Sequence, residues 1–403
     1  MKRITFAIFL AALLSACGGG GGGSTTTNVS QSTPDNTLAV LVDSGSNGFS
    51  VNRLFTSVTI CQPGSSTVCQ TIDHVMVDTG SSGLRLLSSL VNPAVVQSRV
   101  FTASGKPVLN CVQFLDNSYA WGPLASADVV LGSKKASSVP VQLIADAAYN
   151  SADGACSSGG TGTTLNSVGS LGAKGILGLG HFMQDCGTGC SINAANGHYY
   201  TCANTACSSA VGTTASLSQQ LSNPVPMFAS DNNGLIVDLP SVSPPGAQIL
   251  NGSLIFGIGT QANNQFTSGS VLTTDSAGLI STVFAGKTIG YSFIDTGSNG
   301  IYFDTTSLPT CSIATGFYCP ASTTTLSATL RGANAVTSAI SFQVGNAETL
   351  LLATSLTALP TLAGTMGSSS LFDWGLPFFY GRRVFIGIEK LSSPLGTGPL
   401  FAF

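Results

Sequence analysis

The sequence predicts an all-β protein. Three observations carry that expectation: a charged fraction of only 8%, a succession of short apolar runs punctuated by turn residues, and the weakness of any helical period. Long solvated helices need many Glu, Lys and Arg on their outer faces. This chain of 403 residues has only two glutamates, Glu348 and Glu389. The apolar runs are rich in Val, Ile, Phe and Thr, as strands are, and Gly, Pro, Asn or Ser bounds them. In chain order they are "FTSVTIC" (55–61), "HVMVDTG" (74–80), "ADVVLG" (127–132), "VPVQLIA" (139–145), "GLIVDLP" (234–240), "GSLIFGIG" (252–259), "KTIGYSFIDTG" (287–297), "AISFQVGN" (339–346) and "RRVFIGIE" (382–389). Short helices are expected only at Leu84–Val91 and Thr214–Leu221. "SPPG", Ser243–Gly246, lies between two strand-like runs and predicts a boundary between halves 37–245 and 246–403. The length suffices for two cores or one large β-rich domain. A net charge of −3 with 14 basic residues offers no footprint for nucleic acid. So few charges also leave few groups whose titration would unfold the protein in mild acid.

At the N-terminus, Lys2 and Arg3 precede an apolar run, Ile4–Leu14, too short to span a bilayer and of signal-peptide character. "LSAC", Leu14–Cys17, resembles the bacterial lipobox, in which cleavage precedes a cysteine that then carries a diacylglyceryl group. The expected organisation is therefore a signal peptide at 1–16, then a lipidated Cys17 opening a Gly/Ser/Thr-rich tether through 36. The alternative is an ordinary signal peptide with an incidental cysteine. Gly18 rather than Asp follows Cys17, resembling the pattern sorted to the outer membrane. The expected location is the cell envelope, as an outer-membrane lipoprotein facing periplasm or surface, its membrane contact made through the lipid.

Setting Cys17 aside leaves ten cysteines, and an even number in an exported chain reads as disulfides. Spacing suggests Cys61–Cys69, Cys202–Cys207 and Cys311–Cys319 as local loops, with Cys186–Cys190 and Cys111–Cys156 completing five. Zinc is the competing reading, with Cys186, Cys190, Cys202 and Cys207 beside His181 and His198 as material. An oxidising compartment favours disulfides, so no metal and no cofactor is expected.

The chemistry-bearing signal is a repeated loop. "VDTGSSG" at Val77–Gly83 returns as "IDTGSNG" at Ile294–Gly300, its aspartates 217 residues apart, and "VDSGSNG" stands at Val42–Gly48. An apolar pair followed by Asp-Thr-Gly is a strand ending in a tight turn. Glycine permits the turn and turns backbone N–H groups towards the carboxylate, while threonine can hydrogen-bond to its counterpart. If the loops of Asp78 and Asp295 meet, two carboxylates share one proton, because like charges at close range cannot both ionise. One is then a base for water and the other an acid for a carbonyl. Thr79, Gly80, Ser81, Thr296, Gly297 and Ser298 are the supporting residues. Asp43 follows too soon after the tether and too close to Asp78 to head a loop of its own; it reads as a turn residue. No G-x-S-x-G, P-loop or H-E-x-x-H occurs, so serine-hydrolase, NTPase and zincin chemistry lack their signatures. His74, His181 and His198 are scattered and read as structural or exposed.

These segments together resemble the pepsin-like aspartic peptidases. "NRLFTSVTIC" and "HVMVDTGSSGL" resemble the strands leading to the first catalytic loop. "SYAWGPLASADVVLG", Ser118–Gly132, resembles the flap hairpin and places Tyr119 as the flap tyrosine. "KGILGLG" resembles the segment crossing behind that loop, with Ile176, Leu177 and Gly178 in those roles. "GSLIFGIG" resembles the interlobe strand, and "DWGLPFFYGRRVFIGIE" the closing segment of the second lobe with Gly375 as its glycine. The chain also resembles a Gram-negative lipoprotein family catalogued as a domain of unknown function. The resemblance implies a bilobal fold of two β-barrel-like lobes with a cleft between them. It further implies a monomeric aspartic-type endopeptidase acting on peptide or protein substrates through Asp78 and Asp295. It departs from the pattern at Arg85, where a Trp is usual, at Asp373, an apolar position, and at Pro123 in the flap, and no prosegment is evident. The alternative functions are an inactive lipid-anchored binding protein using the same cleft and a structural envelope lipoprotein. Trp121 either lines the cleft or packs the hairpin.

Overall fold

The structure, a computed structural model, describes residues 34–403 apart from 150, 151, 153, 155, 205 and 206. The signal peptide, Cys17 and nearly all of the tether lie outside the described residues. Strand is the predominant regular structure among the described residues, with three α-helices of four to six residues, Val168–Leu171, Thr188–Ile192 and Ala347–Leu352. None of these helices is long and apolar enough to cross a membrane.

All nine apolar runs form strands. Neither segment expected to be a helix does so. Leu84–Val91 begins inside the strand Ser82–Leu87 and ends in a single 3-10 turn, Ser88–Leu90. Every residue of that strand is buried, and it lies between Gly175–Leu179 and Lys134–Ile144, so it has no polar face to turn outwards as a surface helix would. In Thr214–Leu221 only Leu217–Gln219 turns, closed by the reciprocal bonds of Ser216 and Gln219.

Strands from both halves of the chain meet in the larger sheet. Thr37–Val42 pairs with Leu250–Phe256 and with Leu54–Cys61. Gly234–Leu239 pairs with Leu250–Phe256 on one side and with Arg382–Gly387 on the other, and the latter continues to Leu400–Ala402. A second sheet is built only from residue 280 onwards, including Ile280–Phe284, Lys287–Ile294, Thr324–Arg331, Thr337–Val344 and Leu371–Trp374. Its core is aromatic: Phe303 stacks on Phe372, Phe372 on Trp374, and Phe342 meets Trp374 edge-on. By contacts, Pro34–Phe403 is one compact unit.

One arrangement occurs twice. Strand Cys69–Asp78 turns into Ser82–Leu87, and Gly175–Leu179 runs parallel to the first and antiparallel to the second. Likewise Lys287–Ile294 turns towards Ile301–Tyr302, and Leu371–Trp374 runs parallel to the first and antiparallel to the second. The crossing strand passes close enough to the turn to forbid a side chain. A Cβ on Gly178 would lie 2.7 Å from the backbone of Ser82, and one on Gly375 would lie 2.2 Å from the Gly300 carbonyl oxygen.

The ten cysteines pair as Cys61–Cys69, Cys111–Cys156, Cys186–Cys190, Cys202–Cys207 and Cys311–Cys319. The sulfurs of the zinc alternative are thus bonded to one another and offer no thiolate.

Candidate active site

The two turns carrying Asp78 and Asp295 face each other at the floor of a cleft of about 890 Å³. Each carboxylate is held in the same way by its own turn. Gly80 N–H donates to Asp78 Oδ1 at 2.8 Å, and Ser81 Oγ donates to Asp78 Oδ2 at 2.5 Å. Gly297 N–H donates to Asp295 Oδ1 at 2.5 Å, and Ser298 Oγ donates to Asp295 Oδ2 at 2.8 Å. The threonines tie one turn to the other. Thr79 N–H donates to Thr296 Oγ1 at 3.1 Å, Thr296 N–H to Thr79 Oγ1 at 3.0 Å, and Thr296 Oγ1 to the Val77 carbonyl at 2.8 Å. All of these threonine groups are buried, so each bond is protected from exchange with water.

Glycine is required where the turns meet. A Cβ on Gly80 would stand 3.0 Å from the Asp295 carboxylate, and one on Gly297 would stand 2.7 Å from Asp78 Oδ1. The third lettering, at Asp43, behaves differently. Asp43 Oδ1 accepts from Gly45 N–H at 2.8 Å in an ordinary Asx turn, and its Oδ2 meets His74 Nε2 at 3.0 Å.

Electrostatics separate the pair from an ordinary surface couple. Burial and, second to it, the charge of Asp78 push the Asp295 pKa up to about 7. A third carboxyl adjoins them. Asp373, on the crossing strand Leu371–Trp374, is only 3% exposed. Burial and then the charge of Asp295 raise its pKa well above the usual range, with the Ser298 hydroxyl close enough to oppose that rise.

Other residues singled out in the sequence are distributed as follows around this centre. Ile176, Leu177 and Gly178 form the first crossing strand, in register with Met76, Val77 and Asp78, and Gly375 closes the second. The hairpin Val108–Gln113 and Ser118–Leu131 lines the cleft through residues 112–116 and Ser118, around its tip. Tyr119 is not among the residues that line the cleft. It faces the other side of the hairpin, packing with Leu109, Trp121 and Tyr200, because successive strand residues alternate and Ala120 takes the inward face. Trp121 likewise packs the hairpin: its ring meets Tyr200 edge-on and its Nε1–H donates to the Tyr149 carbonyl. Arg85 is fully buried and reaches Asp185, which also accepts from Tyr199 and Asn110.

Composition and motif could not reveal that His181 also lines the cleft. Its Nδ1 meets the Gly387 carbonyl at 2.9 Å, and burial lowers its pKa to about 4. It therefore stands neutral above mildly acidic pH. Arg53 and Tyr302 line the same cleft. Their signal was absent because each comes from a strand end whose direction is settled only by packing.

Fold and site together define a β-protein in which two Asp-Thr-Gly-Ser turns close on one buried carboxylate pair. Over residues 32–403 the chain matches the family described as "Protein of unknown function (DUF3443)", and it belongs to that family. Comparison with curated proteins finds no match.

Proposed function

We propose that this chain is an aspartic-type endopeptidase of the bilobal, pepsin-like kind, hydrolysing peptide bonds with a water activated by Asp78 and Asp295. The single observation that carries the reading is the mirrored pair of turns, each presenting a buried carboxylate to the other. A binding cleft has no need of such a pair, since burying like charges side by side is costly. The lobes of this reading are residues 37–245 and 246–403, each contributing one turn and its crossing strand.

The chemistry follows from one shared proton. Asp295, whose pKa burial pushes up to about 7, is protonated, and Asp78 is the base. Asp78 removes a proton from a water held between the carboxyls as the water oxygen bonds to the scissile carbonyl carbon. Asp295 gives its proton to the carbonyl oxygen, leaving a neutral diol. In the second half the diol returns a proton to Asp295, Asp78 delivers its proton to the amide nitrogen, and the C–N bond breaks. The dyad ends in its starting state.

Cleavage of a mixed peptide library at several pH values tests this, comparing wild type with Asp78→Asn and Asp295→Asn. Cleavage should vanish in both variants and be blocked by a statine-type inhibitor, whose hydroxyl resembles the tetrahedral centre. Cleavage that survives either substitution overturns the dyad. The second reading, an inactive binding protein, is favoured by one observation: Tyr119 faces away from the cleft. Peptide binding without cleavage would select it.

We further propose that the protein acts from the outer membrane, anchored through a lipid on Cys17. Labelled palmitate should enter the wild type and not Cys17→Ala; labelling that persists in the variant removes the proposal.

A further inference from the structure

The two crossing strands are equivalent in register and differ at one residue that faces the cleft. Ile176 stands two residues before Gly178 and pairs in parallel with Met76, two residues before Asp78. Asp373 stands two residues before Gly375 and pairs in parallel with Phe293, two residues before Asp295. Both line the cleft. The carboxylate pair is thus flanked by an isoleucine on one side and an aspartic acid on the other.

The surroundings sharpen the contrast. Ile176 belongs to an apolar cluster with Phe55, Met76 and Leu171, and Leu165 packs against it. Asp373 Oδ1 is buried and has no hydrogen-bond partner, and no lysine or arginine among the described residues forms a salt bridge with Asp373. A buried polar group left without a partner is destabilising, and more so if it is charged. In the equivalent place an isoleucine fills the wall without that cost. The cleft has no surplus cation to offer either. Among the described residues, Asp78, Asp116, Asp295 and Asp373 line it against a single arginine, Arg53, which already donates to the Leu171 carbonyl.

We propose that Asp373 is a specificity-determining residue that reads a basic side chain: the peptide is held with an apolar residue against Ile176 and a lysine or arginine against Asp373, adjoining the scissile bond on the Asp295 side. The guanidinium or ammonium supplies the partner that the fold withholds from Asp373 Oδ1. Burial and the neighbouring Asp295 favour the neutral form of Asp373; a guanidinium or ammonium placed beside it favours the charged form, and the charge-assisted hydrogen bonds then made are among the strongest available to a peptide side chain. The proposal rests on the peptidase reading for its geometry, but binding alone can test it.

The experiment uses two peptide series that differ only in one residue beside the scissile bond, arginine against norleucine, placed in turn on either side. Cleavage is followed for substrates, and binding is measured by calorimetry for the same series built on a statine core. Wild type, Asp373→Ile and Asp373→Asn are compared at pH 6. Asparagine keeps the size and a hydrogen-bonding group, so it stands in if the isoleucine variant fails to fold. Wild type should favour arginine by at least about tenfold on one side of the bond, about 1.4 kcal/mol. That ratio should fall to about one or below in Asp373→Ile and be strongly reduced in Asp373→Asn. A merely structural role would weaken both series alike and leave the ratio in place. Equal use of both series by wild type, or an arginine preference that survives in the variants, overturns the proposal. Cleavage without preference sinks this inference and leaves the peptidase reading standing. Arginine binding that depends on Asp373 without any cleavage does the reverse.

Discussion

Asp295 is buried against a second carboxylate, so pH acts on its proton before it acts on most of the molecule. The acid of the mechanism is present only below the Asp295 pKa of about 7. Activity should therefore be lost as pH rises through about 7, and be sought in mildly acidic buffer; a rate that climbs from pH 6 to 9 would exclude Asp295 as the acid. Stability follows the same sign. An unfolded aspartate releases its proton near 3.8, whereas Asp295 holds it to about 7, so between those values the folded state binds the extra proton and loses stability as pH rises. Melting temperatures at pH 5 and pH 8 should differ less in Asp295→Asn than in wild type. Asp43 is the control. It sits on His74, whose pKa burial pulls down but the hydrogen bonds that its ring donates to Asp73 and Asp43 raise on balance. Asp43→Asn should leave cleavage within about twofold, a barrier change of about 0.4 kcal/mol. Its stability cost is that of a part-exposed ion pair, up to about 1 kcal/mol. That cost is fully present below the ordinary histidine range and fades as pH rises through the His74 pKa.

Among the elements, the two turns and the hairpin make separable demands. Gly297→Ala would set a methyl 2.7 Å from Asp78 Oδ1, so either the turn or the carboxylate must move. Cleavage should drop by at least about a hundredfold, the penalty of a misplacement near 1 Å, while circular dichroism stays that of a folded β-protein. Tyr119→Phe should leave kcat/KM within about twofold, because the ring packs on the far face of the hairpin; a large loss would mean that the hairpin turns its other face inwards when substrate binds. The Cys111–Cys156 bridge ties the hairpin to the segment that follows it. Replacing both cysteines by serine should cost about 2–5 kcal/mol of stability, read from denaturant midpoints.

For the whole molecule, the decisive feature is that the larger sheet draws strands from both ends of the chain. Gly234–Leu239 has Leu250–Phe256 and Arg382–Gly387 as its neighbours, and Thr37–Val42 pairs with Leu250–Phe256. A fragment 34–245 loses all these partners and exposes long apolar strand edges. Expressed alone it should aggregate, and co-expression with 246–403 should restore soluble material; a soluble monomeric 34–245 would contradict this.

Composition and pattern determined what depends on neighbours in sequence. Scarce charge and short apolar runs bounded by Gly, Pro and Asn give strands because those properties act over a few residues. The closely spaced cysteines pair locally for the same reason: their chain separations hold them within reach. Asp78 and Asp295 were legible as a pair because each turn carries its own glycine, serine and threonine. What lay beyond the sequence depends on packing between distant segments. Leu84–Leu87 is a strand because it pairs along both edges with other strands while every one of its residues is buried, a fact absent from its own letters. Tyr119 faces outwards because the register of its hairpin gives the inward face to Ala120. Asp373 looks, in sequence, like an odd polar residue in an apolar strand. Only the parallel pairing with Phe293 sets it beside Asp295, and only burial from several directions deprives its Oδ1 of water. Proximity, orientation and desolvation are properties of the assembled chain, and they turn that residue from an irregularity into a third carboxyl of the site.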